Sequence, residues 1–463
     1  MATHNKCWEL VKLAEIHEIH KMVKSEVIRE RLEAIDQLRI NFEDFIDKDL
    51  AWNDLILLTQ DRTNTVRRNA AYTMGYVFPH VTDKEQAWKI LDKLSEDEYY
   101  SVRKSVADSI GYAFPYIPNK EKAWLDLHRL TEDGNNLVSE SAAIAIGSVF
   151  FYIPNKERAW EDLIRLRVDA AYALGSAFPF INDKEKGWND LIRLTKDKYI
   201  KVRLNVASAL GPSFKYISEK EKGWGDLIQI ARDKHIDVQW RVASALCLAF
   251  PDVPNKKQAW NDLHLFSQDE DSNVRQRAAF IIGIIFPYIP DKEQGWNDLI
   301  KLTQDNDLVQ RQGISGLFDV FPHVVDKDKA WDVLHNFIQK YYYGRLVAAS
   351  ALGSIYPYIP NKEQAITDLL ELTENERYKI SVSALHSLGR IYIFKATGTE
   401  NDKIFRKNLE FAIEYFEKSV IKSLKSRQYY DGLEFSPARF CLPLYRSFYT
   451  IGLGTKFIQD FNQ

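Results

Sequence analysis

Apolar residues recur along this chain at helical spacing, in paired runs parted by an acidic turn and closed by prolines. Residues 82–118 show one pair, TDKEQAWKILDKLSEDEYYSVRKSVADSIGYAFPYIP. Trp88, Leu91 and Leu94 put one stripe on a first helix. Asp83 opens that helix as N-cap, with Gln86 three residues on as its capping-box partner. Asn119, Asn155, Asp183, Asn255, Asp291 and Asn361 stand in the same capping slot. The turn Glu96-Asp97-Glu98 ends the first helix. A second helix is expected from about Val102 to Phe114, burying Val102, Val106, Ala107, Ile110 and Phe114. Pro115 and Pro118 stop it, because proline lacks the N–H and clashes with the preceding turn.

The pair repeats. Trp52, Trp88, Trp124 and Trp160 are each 36 residues apart, and so are Trp188, Trp224, Trp260 and Trp296 after one shortened step of 28. Trp331 follows at 35 and Ile366 takes the slot 35 later. A leucine stands three residues after each of them, from Leu55 to Leu369. A period of this size means stacked helical units, none of which buries its apolar face alone. The pattern predicts an all-α chain of about ten helical pairs between residues 51 and 393. The tryptophans are read as core.

Glycine sits three residues before the closing aromatic at Gly75, Gly111, Gly147, Gly175, Gly211, Gly283, Gly353 and Gly389. A glycine inside a helix costs about 1 kcal/mol relative to alanine, so its return implies that another helix passes close there. Cys247 and Phe318 replace it in two repeats, where a more open or rotated joint is expected. An Asp-to-Arg offset of six also recurs, at Asp61–Arg67, Asp97–Arg103, Asp197–Arg203 and Asp269–Arg275. These pairs are expected to tie neighbouring turns together.

The second helix decides which repeat this resembles. Val66-Arg67-Arg68-Asn69-Ala70-Ala71-Tyr72-Thr73-Met74-Gly75 resembles HEAT-like repeats of the short type found in phycobilisome-lyase-related proteins. The whole-repeat pattern is also similar to HEAT-repeat proteins of methanogenic archaea. The Gly-x-x-Tyr continuation of tetratricopeptide repeats and the Thr-Pro-Leu-His segment of ankyrin repeats are absent. The resemblance covers roughly three quarters of the chain. It implies a right-handed alpha-alpha superhelix, a HEAT- or armadillo-like solenoid whose second helices line the concave side.

Residues 1–50 are expected to form an N-terminal helical cap, and 394–463 a C-terminal helix and an aromatic-rich segment. The C-terminal helix should run from about Lys403 to Lys425. The block around Tyr429-Tyr430, Phe435, Phe440 to Tyr445 and Phe448-Tyr449, beside Arg439 and Arg446, either folds over the last repeat or docks a second copy or a partner. The shortened repeat between Trp160 and Trp188 is either a functional notch or hinge or a tolerated deletion.

Composition narrows the function classes. Among 463 residues the net charge is −3, with no basic excess of the kind that marks a dominant polyanion binder. Cys7, Cys247 and Cys441 share no metal-ligand spacing. No apolar run reaches membrane-spanning length, and a cytoplasmic protein without cofactor, metal or membrane association is expected. No phosphate-binding, dinucleotide, nucleophile-elbow or zinc-protease motif occurs. His17-Glu18 is a single His-Glu pair outside the repeats, too little for an iron hydroxylase site.

Comparing repeats with one another shows where they vary. The free slots lie two, six and ten residues after the leading valine of the second helix, on one helical face. That face carries Arg68, Tyr72, Tyr76, Lys104, Asp108, Tyr112, Tyr172, Trp240, Phe280 and Arg311, the candidate partner-binding residues. Exposed Tyr, Trp and Arg are the types enriched at protein-binding hot spots. The slots are either unconstrained or a groove for a protein partner. A nucleic-acid groove would use Arg68, Lys104, Arg241, Arg277 and Arg311 on phosphates, interrupted by Asp108, Glu140 and Asp319. A third reading is a lyase- or glycosylase-type enzyme, which would need an enclosed pocket with convergent polar groups.

Overall fold

A computed structural model describes residues 16–166, 170–426 and 442–446, and among these there is no β-strand. Residues 16–23 are helical (α1) and are followed by α2, Ile28–Asn41. The first helices of the ten repeats are α3 Lys48–Thr59, α5 Lys84–Leu94, α7 Lys120–Leu130, α9 Lys156–Leu166, α11 Lys184–Leu194, α13 Lys220–Ile230, α15 Lys256–Ser267, α17 Lys292–Leu302, α19 Lys327–Lys340 and α21 Lys362–Thr373. The second helices are α4 Asn64–Val77, α6 Tyr100–Ala113, α8 Asn136–Val149, α10 Ala171–Ala177, α12 Ile200–Phe214, α14 Ile236–Ala249, α16 Ser272–Ile285, α18 Asp307–Val320, α20 Tyr342–Ile355 and α22 Tyr378–Thr397. A long α23, Asp402–Ser426, closes the described chain but for a short turn at 442–446. No helix among the described residues is long and apolar enough to cross a membrane.

The helices gather into two compact units, Met1–Asp252 and Val253–Gln463. In the first, α2, α4, α6, α8, α10, α12 and α14 pack in succession; in the second, α16, α18, α20, α22 and α23 do so. The glycine slot sets how closely they approach. A Cβ added at Gly75 would fall 2.5 Å from the Cα of Ser109, and one at Gly353 would fall 2.9 Å from the Cα of Ser387. The hydroxyls of those serines donate to the carbonyls of Ala71 (2.8 Å) and Ala349 (2.7 Å), locking each joint. Where Phe318 replaces the glycine, α18 and α20 are less closely apposed than α20 and α22, as a bulky side chain at the joint requires.

In nine of the ten repeats the tryptophan of the first helix is buried, Trp124 and Trp188 at 1% exposure. Trp160, Trp188 and Trp224 meet Phe178, Phe214 and Phe250 edge to face at 5.8–6.0 Å. Asp83 caps α5 through the Gln86 amide at 2.8 Å, and Asn119, Asn155, Asp183, Asn255, Asp291 and Asn361 do the same for their helices. The reciprocal half of the capping box does not form at Gln86. Its side-chain oxygen instead accepts from the Trp52 indole at 3.0 Å, one repeat earlier.

The Asp–Arg offset of six needs correcting. Arg67 donates to the backbone carbonyl of Asp61 (2.9 Å), and its carboxylate partner is Asp97, thirty residues on, at 2.7 and 3.0 Å. Arg103–Asp133, Arg203–Asp233 and Arg275–Asp305 repeat this geometry. Each arginine therefore binds its own turn by a carbonyl and the next turn by a carboxylate. The arginine beside them holds the carboxyls of Asp133 and Asp305 below the usual range.

Arg31 reaches Asp61 at 2.7 Å in the same way, and Phe42 is buried 36 residues before Phe78. The expected N-terminal cap thus contains a second helix built like those of the repeats. At the other end α23 runs antiparallel to α22. Lys422 donates to the Thr373 carbonyl, Ser419 to that of Val382, and Phe416 lies on Gly389. Leu442 and Tyr445 pack over Ala412 and Phe416, with the Tyr445 ring stacked on Phe416 at 5.5 Å. α23 itself lies along α22 of the last repeat. The remaining C-terminal aromatics, with Arg439, lie outside the described residues.

A lysine begins every first helix of the repeats. Lys84 donates to the carbonyls of Pro79 (3.2 Å) and Val81 (2.8 Å), closing the proline turn that precedes its helix. Lys120, Lys156, Lys292 and Lys362 do likewise, and Lys292 and Lys362 lie over the closing aromatic rings of Phe286 and Tyr356 at 5.5 and 5.7 Å. Burial pulls the Lys120, Lys220, Lys292 and Lys327 ammonium groups below their ordinary value.

Candidate functional site

The variable slots fall where a second helix turns away from its neighbours. Arg68, Tyr76, Tyr112 and Arg311 are exposed; Tyr72, Lys104, Asp108, Trp240 and Phe280 are half-buried. Tyr172 stands on α10, but its side chain lies outside the described residues. The set divides between the two compact units: Arg68 to Trp240 belong to the first, Phe280 and Arg311 to the second.

The best-formed part lies on α4 and α6. The rings of Tyr72 and Tyr112 meet edge to face at 5.9 Å, and the hydrogen bond that the Tyr112 hydroxyl shares with Tyr72, ahead of burial, pushes the Tyr112 phenol up. Tyr76 and Tyr112, 56% and 53% exposed, stand in the same slot of successive helices. Next to them Lys104 binds Asp108 at 3.1 Å, an i, i+4 pair on the helix surface. The result is an apolar, hydroxyl-tipped patch beside a self-neutralised ion pair.

Two cations assigned to a phosphate-binding track must be withdrawn or discounted. Arg277 is 2% exposed, and burial lowers its guanidinium. It stands three residues after Val274, one step round the helix from the free slots. Lys104 is paired with Asp108 on its own helix. Arg68, Arg241 and Arg311 remain exposed.

The first helices carry a second polar ladder that the tryptophan spacing conceals. Two residues after the tryptophan slot stand the buried Asp162, Asp298 and Asp368. Each meets a histidine of the preceding repeat: His128 at 2.7 Å, His264 at 2.6 Å and His335 at 2.8 Å. His128 Nε2 also faces Arg158 at 2.9 Å. Since arginine only donates, Nε2 accepts and Nδ1–H donates to Asp162, the neutral tautomer. These pairs stand singly at three separate joints, as structural ties do. Among the described residues no group of three or more His, Cys, Asp or Glu could hold a metal.

One rung brings two carboxylates together. Where α7, α15 and α19 have histidine, α5 has Asp92, which faces the buried Asp126 of α7. Burial, then the charge of Asp92, pushes the Asp126 carboxyl up to about 6. Its Oδ2 has no partner, and Arg129 approaches Oδ1 only to 3.5 Å. The folded chain therefore holds a proton that the unfolded chain releases between its ordinary 3.8 and about 6. Its stability should fall as pH rises through that window. Asp126→Asn is expected to gain about 1–2 kcal/mol at pH 8 and nothing at pH 3.5. Urea midpoints across that range check it; a gain independent of pH would show that the Asp92–Asp126 repulsion is not the cause.

Two other groups are perturbed by burial: Cys247, in the glycine slot of α14, and His386, six residues after Ile380 on α22. Burial pushes the Cys247 thiol up to about 12, which removes its nucleophilicity near neutral pH. His386 lies against Phe416 at 5.3 Å, and burial, aided by Arg390, lowers it to about 4. Neither lines the described cavities, which are open and of about 510–540 Å³.

No family model matches the chain. No curated protein matches it in sequence. Solved structures do match in shape. Kap95p, from a study of its binding to RanGDP, superposes over 97% of this chain and 64% of its own, at TM-score 0.63 and 12% identity. Importin beta does so over 96% and 70% at TM-score 0.61 and 12% identity. The karyopherin Kap121p bound to the SUMO protease Ulp1p covers 95% and 52% at TM-score 0.57 and 12% identity. The chain thus spans about half to two thirds of the length of these karyopherins. At this identity the likeness shows a shared fold: paired helices in the HEAT-repeat solenoid arrangement.

Proposed function

We propose that the chain is a protein-binding scaffold without catalytic chemistry of its own, and that its second-helix face holds the partner. The observation that carries this is the row of Tyr72, Tyr76 and Tyr112 on α4 and α6, two of them more than half exposed in successive repeats. Stiff aromatic rings with a hydroxyl tip bury a large apolar area at small entropic cost, which suits a binding surface. The complexes of Kap95p with RanGDP and of Kap121p with Ulp1p, on the same fold, support a protein as partner. Nucleic acid is the weaker reading once Arg277 and Lys104 are discounted.

The test compares capture from the native lysate by the wild-type chain and by Tyr76→Ser/Tyr112→Ser, each with and without nuclease. A protein retained by the wild type, resistant to nuclease and reduced at least about tenfold in the variant is expected, since two hot-spot aromatics contribute about 1.4 kcal/mol or more together. Thermal melting of the two chains should coincide. Capture that vanishes with nuclease, or that the variant leaves unchanged, overturns the reading.

A further inference from the structure

The shortened repeat leaves a notch with its own chemistry. Its second helix α10 has 7 residues, against 14 in α8 and 15 in α12. The shortening falls between α9 and α10, where residues 167–169 lie outside the described residues, and the next connection in the chain is that of α11 and α12. There Ile164, Arg193, Leu194, Lys196, Asp197 and Lys198 line an open cavity of about 510 Å³. Leu194, 5% exposed, and the half-buried Ile164 form an apolar floor; Arg193, Lys196 and Lys198 stand exposed on the rim.

Charge singles out the same place. The equivalent turns elsewhere read Glu96-Asp97-Glu98, Gln304-Asp305-Asn306 and Glu374-Asn375-Glu376. Beside the shortened repeat they read Lys196-Asp197-Lys198 and, one repeat on, Arg232-Asp233-Lys234. The central carboxylates are already engaged: Asp197 accepts from the Tyr199 amide at 2.9 Å, and Asp233 from Arg203 at 2.9 Å and the His235 amide at 2.9 Å. Arg193 is partly spent on Asp190 at 3.0 Å. Among the described residues neither Lys196 nor Lys234 has a carboxylate partner. Lys196 and Lys234 thus stand without a carboxylate beside an apolar floor, in a chain of net charge −3.

We propose that this notch is a docking site for an acidic peptide segment that carries an apolar anchor. Carboxylates would pair with Lys196, Lys198 and Lys234 while the anchor fills the cavity over Ile164 and Leu194. The floor argues against nucleic acid. Single strands want exposed aromatic platforms, and Tyr199, at the end of this turn, already carries Lys198 over its ring at 4.8 Å. The site stands apart from the tyrosine face of α4 and α6, so either proposal survives failure of the other.

Fluorescence anisotropy on the full chain in about 0.15 M salt tests it. Three labelled probes are used: a peptide with three glutamates on each side of Leu-Phe, the same peptide with Ala-Ala in the middle, and a single-stranded oligonucleotide of equal charge. The Leu-Phe peptide should bind about tenfold or more tighter than both others. Lys196→Glu/Lys198→Glu/Lys234→Glu should lose that binding at least tenfold with an unchanged melting curve. If that variant does not fold, Lys196→Gln/Lys198→Gln is read instead, with the same sign expected. Equal binding of the two peptides, preference for the oligonucleotide, indifference to the lysine changes, or no binding of any probe each overturns the proposal.

Discussion

Trp188→Ala is expected to cost about 3–5 kcal/mol, as the loss of a fully packed tryptophan does in other cores. Three contributions combine at this residue. It is 1% exposed, it meets Phe214 edge to face at 6.0 Å, and its indole N–H donates to Asp226 at 2.8 Å. Alanine would leave a cavity between α11 and α12 and strip a donor from the aspartate of the next repeat. Trp188→Phe should lose about half as much, since it keeps most of the apolar volume and gives up the hydrogen bond. Trp240→Ala, on the variable face, should cost about 1 kcal/mol at most. A solenoid need not unfold in one step, so hydrogen exchange read repeat by repeat is the sounder measurement. Protection should fall first in α11 and α12. Equal losses from Trp188 and Trp240 would mean that the repeated tryptophan column is not what holds the helix pairs together.

Gly75→Ala is the second large effect, about 3 kcal/mol destabilising, although alanine is the better helix former. The added methyl would fall 2.5 Å from Ser109 Cα and 2.8 Å from its carbonyl oxygen, both backbone atoms that cannot rotate aside. Helices α4 and α6 would have to separate, and the Ser109 hydroxyl would lose the Ala71 carbonyl at 2.8 Å. Gly283→Ala gives the control. Its nearest neighbour is Gly316 Cα at 3.3 Å, so the methyl fits with a small adjustment. There the change should be neutral or stabilise by up to about 1 kcal/mol. Thermal melts of both variants test the contrast. A destabilised Gly283→Ala beside an unaffected Gly75→Ala would refute close approach as the reason for the glycine slot.

Much of this was legible from spacing. The tryptophan period, the Asp or Asn caps and the glycine column each follow from one helix meeting another, and these constraints recur in every repeat. What spacing concealed was direction. An aspartate six residues before an arginine looks like its partner, yet a guanidinium is long enough to reach the next turn and take Asp97 or Asp133 instead. The signal was present in the series Asp61, Asp97, Asp133, whose members stand thirty residues after Arg31, Arg67 and Arg103. The Asp-Lys or Asn-Lys opening of the first helices was equally regular, but a surface-looking lysine does not suggest a buried cap. The candidate face was legible in which slots vary, not in which side chains stay exposed. Arg277 and Arg241 occupy one slot, and only Arg241 faces water. Neighbouring side chains settle that difference, and they come from elements remote in sequence.

The arginine ladder has a consequence for how the chain is made. Each rung joins residues thirty apart, and the serine ties at the glycine joints join residues 38 apart. A ribosome adding about 5–20 residues per second releases one 36-residue repeat in about 2–7 s. Helices form in about a microsecond or less. Every repeat therefore finds its next rung within seconds of emerging, long before the chain is finished. The apolar face awaiting cover during synthesis is one repeat wide at any moment, whatever the final length, and the growing protein never has to protect more than that.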